Sequence, residues 1–189
     1  MPSYVPGDPV GLHTERFEIR SLNVKDVSER YLSWLRDHEI TRFLQVDHNP
    51  PDLQELHDYV RSHDNRGSFL LGIFTKDGLH IGNHRARYWP QHSLANLSIM
   101  IGDRAFWGAQ VVLECRTRVL DFLFDDVGAL KVQGSCTSDN YPAVFNYHKQ
   151  NWTQDGINRS HYVNDGERVD LIHYAMYRED WQRLRDGNR

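Results

Sequence analysis

The segment FWGAQVVLEC, residues 106–115, has the pattern of a turn that opens a helix. The first amides of a helix lack acceptors within the helix, and the helix dipole favours an anion beside them. The segment could therefore hold a phosphate group. Glycine lets a backbone approach phosphate closely, but Gln110 and Val112 occupy the two positions where such a turn would carry glycine. A plain strand-to-helix junction is the alternative interpretation.

Other reactive residue types form weaker patterns. His161 and His173 lie far apart without nearby cysteines or carboxylates at ligand spacing, so no metal site is expected. Cys115 and Cys136 do not suggest a disulfide framework. No Gly-x-Ser-x-Gly or phosphate-loop lysine motif occurs.

The composition favours one globular domain. The chain has 189 residues, of which 39% are hydrophobic, and a net charge of −4. This charge gives no general attraction to nucleic acid or anionic lipid, and no apolar run is long enough to span a membrane. The first residues lack the pattern of a signal peptide, so a cytoplasmic protein is expected.

The elements that would position the segment alternate between strand and helix patterns. A tail over residues 1–12 precedes a single domain over residues 13–189. Asn23 would cap a helix through Leu35, and Asp52 with Glu55 forms a capping box for the next helix, after a loop at 47–52. The predicted strands are residues 16–22, 68–78, 79–89, 94–102, 130–137 and 166–178, and two further helices run from the turn to Leu123 and over 140–150. A strand–helix–strand crossover among hairpins indicates an α+β domain.

The order of these pieces resembles that of the GNAT acyltransferases, over residues 14–181. The branch most similar includes ribosomal-protein and nucleotide-sugar amine acetyltransferases. The resemblance is carried by TERFEIRSL, YLSWLRDHEITRFL, LHIGN, IMIGD…FWG and the pattern N-x-x-A-x-x-x-Y-x-K at 140–149. It implies a mixed, mainly antiparallel central sheet flanked by helices.

The resemblance also implies a co-substrate, acetyl-CoA or another acyl-CoA, and no metal. Its pantetheine arm would bond to the strand at Ile99, Met100 and Ile101 like an added strand. Its pyrophosphate would lie on the turn, and Asn140 would both cap its helix and contact the donor. The turn residues are Trp107, Gly108, Ala109, Gln110, Val111 and Val112.

Tyr147 matches the family tyrosine that protonates the departing thiolate, although a tyrosine packed on a helix face is an equal alternative. Relatives often carry an acidic residue at the position of Asn96 and glycine at that of Ser98. Asparagine cannot act as a base, so His84, whose ordinary pKa is near neutral, is a candidate base. A hydrogen-bonding structural histidine is the alternative for His84.

The sequence thus predicts an acyl-CoA-dependent N-acyltransferase, with acetyl as the expected group. The acceptor would be an amino sugar, a peptide N-terminus or another small amine, and a homodimer is possible. Arg85, Arg87, Tyr88 and Trp89 could line the acceptor pocket or form an exposed strand face. The alternative function is a non-catalytic GNAT-like domain that binds a ligand or partner.

Overall fold

The computed structural model describes residues 4–44 and 50–187, and its centre is one eight-stranded sheet. The strands lie in the order β1-β2-β3-β4-β5-β6-β8-β7. Their bounds are β1 Gly11–His13, β2 Phe17–Ser21, β3 Ser68–Thr75, β4 His80–Trp89, β5 Leu94–Ile101, β6 Lys131–Thr137, β7 Thr153–Asn164 and β8 Glu167–Tyr177. The sheet is mostly antiparallel, so the predicted fold class is confirmed.

Six α-helices flank the sheet within the described part of the chain. They are α1 Glu29–Arg36, α2 His38–Thr41, α3 Leu53–Arg61, α4 Val111–Asp121, α5 Tyr141–Lys149 and α6 Arg178–Gly187. A π-helical turn, Phe122–Asp126, extends α4. The capping box of Asp52 and Glu55 is present at the start of α3, as predicted.

Each face of the sheet has its own apolar core. On one face, Cys115, Val119 and Leu120 of α4 pack with Leu97 of β5 and Tyr147 of α5. The other core contains Tyr31, Leu32 and Trp34 of α1 with Leu56 and Val60 of α3 and strand residues such as Leu70. Because side chains alternate along a strand, neighbouring residues of β4 and β5 face opposite layers.

The pairing of β5 with β6 is parallel and short. It covers Leu94–Asn96 on β5 and Lys131–Gln133 on β6. Both strands continue beyond these residues, whereas β4 pairs with β5 along its whole length, from Leu94 to Ile101. β5 and β6 therefore separate in the middle of the sheet, and within residues 4–44 and 50–187 no strand pairs with the edge of β5 beyond Asn96 that faces away from β4.

Three sequence expectations differ from the structure. The predicted tail at 1–12 is wrong for its last residues, because Val10 and Leu12 are buried and Gly11–His13 pairs with β2. Asn23 caps only a short 3-10 turn at Val24–Asp26, and Ser28 caps α1 as a separate helix. No strand was expected at Thr153–Asn164, yet β7 forms the sheet edge there. The first part of the predicted loop at 47–52, like residues 1–3, lies outside the described residues.

Candidate functional site

The separation of β5 and β6 produces an opening at the centre of the sheet. It begins after Asn96 and Gln133, the last paired residues. Ile99, Met100 and Ile101 lie on the part of β5 that pairs with β4 but no longer with β6, and all three are half-buried. A strand edge without a partner offers amide and carbonyl groups to an extended ligand. The opening could therefore accept an extended chain along β5.

The turn at 106–112 leads from β5 into α4. Gly108 has a φ of 73° and Gln110 a φ of 59°, so both residues adopt the left-handed conformation. Within the described residues, no acceptor is found for the amides of Gly108, Gln110, Val111 and Val112. Four unbonded amides at the start of an 11-residue helix are suited to an anion.

The two unexpected residues of the turn differ in their structural roles. Gln110 is exposed and precedes the helix, in a conformation that glycine adopts without steric cost. Val112 lies inside the first turn of α4, is half-buried and has ordinary helical geometry. Only the glutamine therefore occupies a position at which the backbone itself favours glycine.

Arg16 holds the turn in place from the other side of α4. Its Nη2 donates to the Ala109 carbonyl oxygen at 2.9 Å, and its Nε donates to Glu114 Oε2 at 2.6 Å. The Trp107 indole nitrogen also donates to the Ile101 carbonyl oxygen at 2.9 Å. These contacts fix the turn relative to β5. Sequence reasoning did not select Arg16, since nothing in its local pattern points to a partner 98 residues away.

Tyr147 of α5 lies where β5 and β6 begin to separate. A side-chain carbon at Gly134 would clash with the Tyr147 hydroxyl and would lie 3.1 Å from the Leu97 carbonyl oxygen. The hydroxyl therefore occupies the space that a side chain at Gly134 would fill, beside the last paired residues of β5 and β6. The ring stacks on Tyr174 with centroids 4.3 Å apart, and burial raises the pKa of Tyr147 to about 12.

Arg116 is a buried cation beside this tyrosine. Its Nη2 donates to the Asn146 carbonyl oxygen at 2.7 Å, and its Nε donates to Gln150. The guanidinium carbon lies 4.6 Å from the centroid of the Tyr147 ring and 5.3 Å from that of Trp152. Within the described residues no carboxylate pairs with it, and burial lowers the pKa of Arg116 to about 10.

The sequence carries a signal that could have singled out Arg116. It lies four residues before Leu120, on the buried stripe of α4, where an apolar residue is expected. A charged residue at such a position needs a partner or a function.

The expectation that His84 is a near-neutral base is wrong. Its side chain is fully buried. Because His84 and Ala86 are two residues apart on β4, both face the same side of the sheet, and Ala86 packs into the core under α4. Nδ1 lies 3.3 Å from the Ser98 carbonyl oxygen, and Nε2 has no hydrogen-bond partner among the residues that the structure describes. Burial lowers the pKa of His84 to about 3, and the charge of Arg116 contributes. An imidazole in this environment is a weak base that is closed to solvent.

Asn140 caps α5, as predicted, because its Oδ1 accepts a hydrogen bond from the Ala143 amide at 3.2 Å. Asn96 and Ser98 lie on β5 on the face opposite Leu97, where Asn96 is half-buried and Ser98 is exposed. The structure thus brings the opening, the turn and Tyr147 together along β5 and α4. It separates His84 from them, beneath the helices.

Three further observations concern the described residues 4–44 and 50–187. Cys115 and Cys136 are free and buried. No group of three or more His, Cys, Asp or Glu side chains is placed to bind a metal ion there. No helix in this part of the chain is long and apolar enough to cross a membrane.

Comparison with known proteins assigns this architecture to a family. Residues 16–144 match the family model of the Acetyltransferase (GNAT) domain, which is more than half of the chain. The chain therefore belongs to the GNAT acetyltransferase family, and the prediction of such an enzyme is confirmed at this level. No curated protein sequence matches the chain significantly.

Solved structures agree in fold at low sequence identity. The spermidine N-acetyltransferase of Vibrio cholerae, in complex with CoA and spermine, is 15% identical with a TM-score of 0.80, over 88% of this chain and 98% of that one. RimL, a ribosomal L7/L12 α-N-protein acetyltransferase in complex with CoA, is 14% identical with a TM-score of 0.80, over 90% and 99%. Ribosomal-protein-S5-alanine acetyltransferase of Vibrio fischeri is 14% identical with a TM-score of 0.75, over 91% and 98%.

The turn geometry predicts opposite effects for its two non-glycine residues. Gln110→Gly should raise the free energy of unfolding by about 0.5–1 kcal/mol, because the left-handed conformation is costly for a residue with a side chain. Val112→Gly should lower it by about 1 kcal/mol, because glycine disfavours the helix and a half-buried side chain is lost. Urea unfolding of both variants is the measurement. Equal destabilisation by the two substitutions would contradict this account of Gln110.

Proposed function

We propose that this protein transfers an acetyl group from acetyl-CoA to an amine. One observation carries the proposal: the Tyr147 hydroxyl lies at the point where β5 and β6 separate, and the unbonded amides of Gly108, Gln110, Val111 and Val112 follow the far end of β5. An extended thioester bound along β5 could thus reach both the tyrosine and the amides.

The residues present suit the acyl donor despite the unusual turn. A side chain does not remove a backbone donor, so the amides of Gln110 and Val112 remain available to a pyrophosphate. The side chain of Gln110 is exposed, and that of Val112 is half-buried against the protein. We expect the pantetheine arm to lie along β5 at Ile99, Met100 and Ile101 and to bond to the backbone groups that face away from β4, except the Ile101 carbonyl oxygen, which accepts the Trp107 indole N–H. Asn140, at the start of α5, would contact it from the other side.

The chemistry requires no covalent intermediate on the protein. The amine nitrogen attacks the thioester carbonyl carbon, the carbon–sulfur bond breaks, and the thiolate accepts the Tyr147 proton. The proton that the amine gives up restores the phenol by way of solvent. Tyr147 is protonated at pH 7 and can donate its proton once a thiolate forms, although the burial that raises its pKa makes the phenol a weaker acid. Positioning of the two reactants supplies much of the rate enhancement.

Asn96 has no carboxylate with which to accept the proton of an incoming ammonium. The acceptor would therefore enter as the neutral amine or lose its proton to water. The neighbours in fold include enzymes named for spermidine and for ribosomal proteins, so amines of both kinds are candidates. A homodimer and a cytoplasmic location also remain predictions.

Binding of acetyl-CoA is the first test of this function. We expect titration calorimetry at low salt to detect acetyl-CoA, and the ligand to raise the melting temperature. Desulfo-CoA separates recognition of the nucleotide and pantetheine from recognition of the thioester. Absence of heat and of stabilisation at millimolar ligand would exclude the proposal. Binding without transfer to any amine would favour the non-catalytic alternative, to which the left-handed Gln110 and Asn96 also point.

Tyr147→Phe should lower kcat by about 10- to 100-fold and change the Kd for acetyl-CoA by less than about threefold. The hydroxyl would act only as the thiolate departs, whereas the ring packs on Tyr174 in both proteins. Single-turnover transfer and calorimetry measure the two quantities. Tyr174→Phe is the matched control, because the buried Tyr174 hydroxyl has no hydrogen-bond partner in the described part of the chain and should be dispensable. An unchanged kcat in Tyr147→Phe would remove the phenol from the mechanism.

Arg116 offsets part of the effect of burial on this phenol. Its positive charge lowers the pKa of Tyr147, whereas desolvation raises it. A buried cation whose partners are neutral stabilises negative charge that develops nearby, and proton transfer from Tyr147 to the thiolate creates such charge. We therefore assign Arg116 as a positioning residue for Tyr147.

Arg116→Met should lower kcat by about tenfold with less than about threefold change in KM for acetyl-CoA. Arg116→Lys keeps the charge and should restore part of kcat. Steady-state kinetics of both variants, with circular dichroism to verify folding, distinguish the charge from packing. Equal loss of kcat in the Lys and Met variants, or a loss confined to KM, would contradict this role.

A further inference from the structure

A cleft with two arginines opens between α3 and β4. Its volume is about 380 Å³, and Arg85 and Arg87 line it together with Tyr59, His63 and Trp89. Arg85 and Arg87 are exposed and alternate with Ala86, which is buried under α4. The two guanidinium groups therefore extend from the sheet face opposite α4 and α5.

The pairing of β4 with β5 places the two arginines of the cleft beside the proposed site of acyl transfer. Arg87 is the direct partner of Asn96, and Arg85 is the direct partner of Ser98. Asn96 is the last residue of β5 that pairs with β6. Directly opposed residues of an antiparallel pair have Cβ atoms about 5 Å apart. The backbone of both arginines therefore lies one strand away from the opening. Their side chains extend from the same face of the sheet as those of Asn96 and Ser98.

The charge of the cleft is positive. Within the described residues no carboxylate forms an ion pair with Arg85 or Arg87. Asp64 also lines the cleft, but its Oδ1 accepts the amides of residues 66, 67 and 68 at 2.8–2.9 Å. Burial lowers the pKa of His63, and Arg85 adds to that shift, so His63 is neutral at pH 7.

Trp89 limits the freedom of one arginine. The guanidinium carbon of Arg87 lies 5.5 Å from the centroid of the Trp89 ring, which places the cation over an aromatic face. A guanidinium held in this way loses less conformational freedom when it binds a ligand. Two arginines side by side can bind the oxygens of one phosphate or carboxylate group.

We infer that Arg85 and Arg87 select small amine acceptors that carry a phosphate or carboxylate group. This inference rests on the proposed acetyl transfer and names its substrate class. The anionic group would bind in the cleft, and the amine would reach the opening beside Asn96. A polycationic acceptor is disfavoured, because the cleft has two unpaired cations and Asn96 offers no carboxylate to attract an ammonium.

The test uses three amino sugars that share a ring and an amine. Glucosamine 6-phosphate carries a phosphate, muramic acid carries a carboxylate, and glucosamine carries neither, while spermidine represents the polycations. At low ionic strength the kcat/KM of wild type for at least one anionic amino sugar should exceed that for glucosamine by about tenfold or more. Spermidine should be used less well than either anionic sugar. The relative rates of the two anionic sugars identify which group is preferred.

The double variant Arg85→Gln, Arg87→Gln should lose this preference, because kcat/KM should fall much more for the anionic sugars than for glucosamine. Arg159→Gln is the matched control, since Arg159 is an exposed arginine on β7, away from the cleft. The control should retain the preference. A wild type that prefers glucosamine or spermidine, or a double variant with an unchanged preference, would overturn the inference.

Direct binding separates this inference from the proposed function. Calorimetry with glucosamine 6-phosphate and with muramic acid, without CoA, should detect binding of at least one by wild type and at least tenfold weaker binding by the double variant. If acetyl-CoA does not bind but this difference is found, acetyl transfer fails and the anion site stands. If acetyl-CoA binds and neither anionic sugar does, in the presence or absence of CoA, the anion site is excluded and acetyl transfer stands.

Discussion

The early separation of β5 from β6 is the constraint on which the rest of the structure depends. Three residue pairs hold the two strands together, and the sheet then opens although both strands continue. A sheet that opens in its interior leaves backbone groups without partners, which is costly unless a ligand or side chains occupy the gap. The Tyr147 hydroxyl lies against Gly134 where the gap begins, and the remaining edge of β5 could pair with an extended ligand.

Arg116 connects this opening to the helices that cover it. It bonds to Gln150 and to the Asn146 carbonyl oxygen, and so joins α4 to the end of α5. Gln150 in turn donates to the Leu113 carbonyl oxygen at 2.8 Å, within the first turn of α4. The tyrosine, the buried cation and the helix that begins at the turn are therefore one packed unit. A change in the position of α4 would move the amides and the phenol together.

The sequence was sufficient for the order of most elements and for the turn. Alternation predicted β2 to β5, and the capping residues Asp52 and Asn140 mark helices that the structure contains. The predictions that failed, the missed strand β7 and the single helix after Asn23, have physical causes. β7 has exposed polar residues along most of its length, so it lacks the apolar alternation of a half-buried strand. Val24 to Leu35 fit one helical period, but Asn23 and Ser28 both cap, and two short elements result.

The sequence by itself determined the family, the fold class and the segments that form the candidate site, because periodicity, caps and motif order are local properties of the chain. Only the tertiary structure decided what each side chain can do. His84 has an ordinary histidine sequence context, but burial beneath α4 makes it a weak base. Arg16 bonds to a partner 98 residues away, and Arg116 bonds to one 34 residues away. Gln110 is strained because its backbone φ is positive. Burial, charge pairing and dihedral angles arise from contacts between distant segments, which no local pattern specifies.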